Sequence, residues 1–274
     1  MITREWKVLA TAVMFLTRIP VGQSASGESA DLAASTQYFP LIGVLVGVLV
    51  SIVFLLTNLL WSSDIAVALC LVSAVLLTGG FHEDGIADVA DSAGAWTQEQ
   101  KLDVMRDSRV GTYGALALVF IVLLKYLSLS GIAGIVDLHS HGTSNGTGNA
   151  DAAKSVWVVI ATLVLAHVLG RWSTLPLIRF TPYAREHSSN KVFAEGVTDR
   201  RLLVGSLITL VTMVACAFIV GIVVVYAFAS ACVVIALSRQ WFMRSVGGIT
   251  GDCLGAANQV VEVGVYLCVA AIVV

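Results

Sequence analysis

Long apolar runs, separated by short stretches that hold nearly all the charge, set the pattern of this chain. An α-helix needs about 20 largely apolar residues to cross a bilayer. Seven segments are candidates: 40–61, 64–78, 112–136, 155–177, 202–220, 222–237 and 255–274. The fifth and sixth divide one run that is too long for a single crossing, with Gly221 as the break. The second is short and can continue through Gly79-Gly80 into the polar stretch behind it. A shorter apolar run, 8–16, lies between Lys7 and Arg18 and reads as an interfacial or re-entrant helix. Arg18 and Pro20 directly after it argue against a cleaved signal peptide, despite the small residues Ser24-Ala25-Ser26. The predicted fold class is all-α: a polytopic transmembrane helix bundle of about seven spans plus that N-terminal helix. Residues 1–274 are read as a single integral membrane domain.

Composition agrees. Of 274 residues, 57% are hydrophobic and 12% charged, against about 25% charged in soluble domains. The net charge of −2 says nothing about nucleic acid, but there is no basic tract, and no nucleic-acid partner is expected. Cys70, Cys216, Cys232, Cys253 and Cys268 show no metal-ligand spacing and read as small packing residues.

Charge sets the expected sidedness. Arg4, Lys7, Arg18, Lys101, Arg106, Arg109, Arg171, Arg179, Arg185, Lys191, Arg200, Arg201, Arg239 and Arg244 all fall on one side of a seven-span arrangement. Lys125 lies within a span, and only Lys154 falls opposite. The positive-inside rule makes the rich side cytoplasmic, with the N-terminus inside and the C-terminus outside. The opposite side has one long loop, 139–149. Its His139 and His141 suit weak metal binding less well than the loop suits a solvated linker.

The densest chemistry lies in 79–92, where Glu83, Asp84, Asp88 and Asp91 place four carboxylates in nine positions beside His82. On a helix, Asp84, Asp88 and Asp91 form one stripe. Such a stripe repels itself unless a cation intervenes, and carboxylate oxygens suit Mg²⁺. The alternative is a helix end whose acids simply face water. His82 is either a proton acceptor or a hydrogen-bonded interfacial histidine. In Arg106-Asp107-Ser108-Arg109, ahead of Tyr113, two arginine forks make a phosphate clamp, with Asp107 a possible fourth carboxylate. The rival reading there is a positively charged membrane anchor with Ser108 as a helix cap. In 247–262, Asp252, Gly255, Gln259 and Glu262 share a helical face, and Glu262 inside a span needs a partner. Thr250 and Asp252 can cap that helix. Gly170-Arg171-Trp172, Arg179, Tyr183 and Arg185 read as a site for anionic substrate or membrane-lipid headgroups, or as a plain interfacial belt. His167 reads as a packing histidine. Gly43 and Gly47 form a close-packing pair, within one chain or in a homo-oligomer. No P-loop, dinucleotide, HExxH or CxxC motif is present.

On these motifs the chain resembles the adenosylcobinamide-GDP ribazoletransferase (cobalamin synthase) family. The likeness runs from Phe15-Leu16-Thr17-Arg18-Ile19-Pro20 and Tyr38-Phe39-Pro40-Leu41-Ile42-Gly43 to the two central motifs, 78–88 and 105–114. It ends in Gly248-Ile249-Thr250-Gly251-Asp252-Cys253-Leu254-Gly255-Ala256. After Asp91 the chain reads Ser92-Ala93-Gly94-Ala95, where the family often has a glycine-rich patch. The resemblance implies an Mg²⁺-dependent enzyme of a bacterial or archaeal cytoplasmic (inner) membrane. It would join adenosylcobinamide-GDP to α-ribazole or α-ribazole 5′-phosphate and release GMP. The expected metal ligands are Asp84, Asp88 and Asp91, and the expected catalytic groups are His82, Asp84 and Asp107. Arg106, Ser108, Arg109, Tyr113 and Asp252 are expected to bind substrate phosphate. A weaker likeness, to the CDP-alcohol phosphotransferase site, leaves a lipid phosphotransferase as one alternative. An ion-coupled transporter using Asp84, Asp88 and Glu262 as a relay is the other.

Overall fold

The computed structural model describes residues 2–22, 29–134, 148–185 and 196–273. The predicted histidine loop, with His139 and His141, and Lys191 lie outside them. Among the described residues the fold is helical, with one isolated bridge between Tyr183 and Ile249. The helices are α1 (Ile2–Leu16), α2 (Ser29–Ser35), α3 (Phe39–Asn58), α4 (Ser63–Thr78), α5 (Phe81–Ser92) and α6 (Gln98–Val104). They continue as α7 (Thr112–Gly134), α8 (Gly148–Phe180), α9 (Asp199–Val220), α10 (Val223–Val246) and α11 (Gly251–Val273). Six described stretches are long and apolar enough to cross a membrane, and α4 with α5 makes a seventh if the bent pair is counted as one.

The short run at 8–16 is part of α1, which buries Val8, Ala12 and Leu16 and exposes Trp6 and Met14. Its buried face packs on the apolar core of the bundle, Ala12 and Leu16 among the core residues. The split at Gly221 holds: α9 ends there at φ +62°, and α10 begins two residues later. Other predicted ends move, the sixth and seventh spans' among them. The sixth span runs on to Val246 and the seventh starts at Gly251. Counting apolar residues stops at Ser238-Arg239-Gln240, yet the helix continues because Phe242 and Val246 are buried on its inner face.

The second span does not run straight into the acidic stretch. Gly79 and Gly80 both take left-handed φ, +72° and +70°, and α5 leaves α4 at 89°. The Arg18 side chain lies against Gly79, and its backbone N–H donates to the Leu77 carbonyl at 2.7 Å. The loop after α1 therefore braces the bend.

α8 is the most buried of the long helices. Gly43 and Gly47 of α3 pack on its backbone, where a Cβ on Gly43 would stand 2.5 Å from the His167 carbonyl oxygen. The glycine pair therefore works within one chain. A large apolar core joins α1, α3, α4 and α7–α11. A smaller core of Leu175, Ile178, Phe242, Val246, Ile249 and Cys253 supports one end of the bundle, where α5, α6 and the start of α11 meet.

Candidate active site

At that end, α5 lies across the start of α11. Gly85 is the crossing point: a Cβ there would come within 2.7 Å of the Asp252 carbonyl oxygen and 3.1 Å of Gly255 Cα. The close approach gives the α5 carboxylates a neighbour from α11. Asp88 feels the charges of Asp84, Asp252 and Asp91, with Arg185 as the opposing cation. Asp252 accepts from Arg185 Nη2 at 3.5 Å and from the Thr250 hydroxyl at 3.2 Å. Thr250 Oγ1 also accepts from the Cys253 N–H at 3.3 Å, so it caps α11 as its position predicts.

The acidic stripe is helical throughout, yet its members are used differently. Asp84 is exposed, while Asp88 and Asp91 are half-buried. Both oxygens of Asp91 are engaged, accepting from Gly111 N–H at 2.7 Å and Gly114 N–H at 2.8 Å. Asp91 thus caps α7 from another helix, the role weighed for Ser108. A side chain at either glycine would collide with that carboxylate. Among the described residues, no three His, Cys, Asp or Glu side chains are gathered closely enough to hold an ion by themselves.

Arg106, Ser108, Arg109 and Tyr113 are exposed on the loop before α7 and its first turn. Arg106 Nη1 pairs with Asp103 at 3.3 Å, and Arg109 Nε with Asp107 at 3.0 Å. The Arg109 guanidinium holds the Asp107 carboxyl down at about 2. Neither arginine bonds to the α5 acids.

His82 and Glu83 face inward at the root of α5. His82 is buried, and no hydrogen bond engages its ring nitrogens. Behind it lies a charged cluster that sequence reasoning grasped only in part. Lys125 Nζ donates to Glu262 at 2.7 Å and to Gln259 at 2.6 Å. His167 Nδ1 lies 2.9 Å from Glu262, and Arg171 Nη1 lies 3.5 Å from the same carboxylate. Gln259 donates to Glu83 at 3.2 Å. Glu262 thus finds the partner its position demanded, and His167 is an ion-network member more than a packing residue. Arg171, counted among the side-determining charges, is 1% exposed inside the bundle. The interfacial-belt reading fails there and at Trp172, which donates to Ser206 inside the fold at 3.0 Å. The signal for Arg171 was its spacing: it follows His167 by one helical turn on an otherwise apolar helix.

Between these layers is a cavity of about 170 Å³. Phe15, Phe39, Phe81, His82, Asp84, Arg171, Tyr183 and Asp252 are among its lining residues. One end of the molecule therefore combines exposed carboxylates, a free imidazole, buried cations and an aromatic wall. Such a set can screen a bound polyphosphate through a cation and accept a proton.

A model of the family described as cobalamin-5-phosphate synthase matches residues 8–270 of this chain. The chain belongs to that family. Similar proteins named adenosylcobinamide-GDP ribazoletransferase span nearly the same length. One from Vibrio cholerae serotype O1 is 37% identical over 267 residues, covering 96% of this chain and 93% of the relative. One from Shewanella amazonensis is 37% identical, covering 96% and 95%. One from Polaromonas sp. is 38% identical, covering 93% of each. No solved structure matches the chain. Membership in the cobalamin-5-phosphate synthase family makes this multi-pass membrane protein a transferase of cobalamin biosynthesis.

Proposed function

We propose that the chain transfers the cobinamide phosphate of adenosylcobinamide-GDP to α-ribazole or α-ribazole 5′-phosphate. The products are adenosylcobalamin, or its 5′-phosphate, and GMP. The names of the relatives support this donor and this class of acceptor. One observation carries the chemistry: Asp84 of α5 and Asp252 of α11 line one cavity with buried His82 and Arg171, and Asp88 lies within electrostatic reach of both carboxylates.

A ribose hydroxyl of the acceptor attacks the phosphorus nearest the cobinamide. The P–O bond to GMP breaks, and its electron pair leaves with GMP. His82 takes the hydroxyl proton, since its ring is uncommitted and it lines the same cavity as Asp84. Asp107 is the weaker candidate, because its carboxylate is committed to Arg109 on the exposed loop before α7. Its part is to position Arg109.

A diphosphate donor adds negative charge to a cluster of carboxylates, and the donor set is entirely oxygen. That set fits Mg²⁺, which takes one or two carboxylates plus substrate phosphate and needs no three-acid cage. Asp84 and Asp88 would hold it, while Asp91 fixes the start of α7. When bound, Mg²⁺ neutralises the charge of the diphosphate and of the departing GMP. Exposed pairs such as Arg106–Asp103 and Arg109–Asp107 are weak and exchange readily for phosphate oxygens. Ser108 and Tyr113 add hydroxyl donors beside them. The positive-charge bias supports a cytoplasmic site in an inner membrane.

Membranes carrying the chain should make GMP and a cobalamin from adenosylcobinamide-GDP, α-ribazole and Mg²⁺. CMP release from a CDP-linked lipid donor would favour a lipid phosphotransferase instead. Solute uptake into sealed vesicles without GMP would favour a transporter.

A further inference from the structure

The cavity beneath the acidic mouth has an aromatic wall that phosphoryl transfer alone does not require. Phe15 and Phe39 stack with centroids 5.8 Å apart and ring planes 12° apart. Phe81 meets Phe15 edge-on at 5.3 Å and His82 edge-on at 5.4 Å. The four rings come from α1, α3 and α5, so three separate elements build one aromatic surface. Two polar side chains line the same cavity with atoms that lack partners: Arg171 Nε, in a residue 1% exposed, and the Tyr183 hydroxyl. Unpartnered buried donors beside an apolar surface call for an acceptor, and a bound ligand can supply it.

We propose that this cavity receives the dimethylbenzimidazole base of the acceptor, an inference that rests on the function proposed above. Size agrees: a cavity of about 150 Å³ lined by Leu, Ile and Phe takes a benzene. One of about 170 Å³ suits a small flat base and is far too small for a corrin ring. Polarity agrees too. The base is a largely apolar fused ring with one free nitrogen lone pair, which matches a stacking wall and an unpaired N–H. Guanine, the other flat group in the reaction, carries several donors and acceptors along its edges. An apolar wall would strand most of them. Asp252, the α11 carboxylate that lines the cavity, is already shared by Arg185 and Thr250. A base held here also sends its ribose toward Asp84 at the cavity rim, where the hydroxyl is needed.

Binding of free 5,6-dimethylbenzimidazole to the full chain in nanodiscs, measured by equilibrium dialysis, tests this without catalysis. The expected result is binding that α-ribazole displaces and GMP does not, weakened about tenfold or more in Phe81→Ala and Phe39→Leu. The same variants should raise the KM for α-ribazole by about tenfold and leave that for adenosylcobinamide-GDP within about twofold. No binding to the wild type, displacement by GMP, or unchanged affinity in both variants would overturn the proposal. Should the base bind as expected while no GMP forms from donor and acceptor, the cavity assignment stands and the reaction assignment falls.

Discussion

Asp84 and Asp91 stand two turns apart on α5, yet their surroundings assign them different jobs. Asp84 is exposed at the cavity rim, whereas Asp91 spends both oxygens on the amides of Gly111 and Gly114. Replacing each by Asn separates the two. Asp84→Asn should lose nearly all GMP release, because charge is what a cation needs. Asp91→Asn keeps one carbonyl acceptor and should retain much of the rate. Asp91→Ala should cost about 1–2 kcal/mol of stability, the usual value of a helix cap. The interior cluster gives a second prediction. Lys125→Met should lower stability by about 3–5 kcal/mol, since it strips the nearest cation from buried Glu262. Lys125→Met combined with Glu262→Gln should be less damaging than the first change alone, as read by thermal unfolding in detergent. The acidic stripe was legible because helical spacing alone aligns it. The aim of the Asp91 carboxylate was not, because it depends on where α7 begins in space. Lys125 and Glu262 each announced themselves as charges in apolar runs, but their pairing spans 137 positions and no local pattern encodes it.

At the scale of elements, the site depends on α5 lying across α11. Gly85→Ala should disturb that crossing, because its new methyl meets backbone at 2.7 Å. A loss of about 1–3 kcal/mol and a marked fall in activity are expected. Gly255→Ala on the facing helix should be milder, since its nearest contacts would be ordinary ones at 3.4 Å. Stability and GMP release measured on both variants check the order. The Gly79-Gly80 break was visible as two consecutive glycines after an apolar run. The 89° turn was not, because it combines left-handed φ at both glycines with a brace from Arg18, which lies in another part of the chain. The aromatic wall was hidden for the same reason: Phe15, Phe39 and Phe81 occur in three different motifs.

At the scale of the whole molecule, hydropathy was enough to set out the long helices and the break at Gly221. It misjudged their ends wherever a polar-looking turn still buries one face, as at Phe242 and Val246. The positive-charge bias survives the removal of Arg171, since the other arginines and lysines on that side are untouched by it. It predicts opposite labelling of two single-cysteine variants in a cysteine-free background. Ser108→Cys should react with a membrane-impermeant maleimide only after cells are opened, and Asn145→Cys in intact cells. The reverse pattern would invert the proposed topology.

The most direct test of the central claim is GMP release by purified, folded Asp84→Ala given adenosylcobinamide-GDP, α-ribazole and Mg²⁺. A fall of at least about a hundredfold is expected, as befits loss of a group that would hold the cation on the diphosphate. Release at the wild-type rate would contradict the claim.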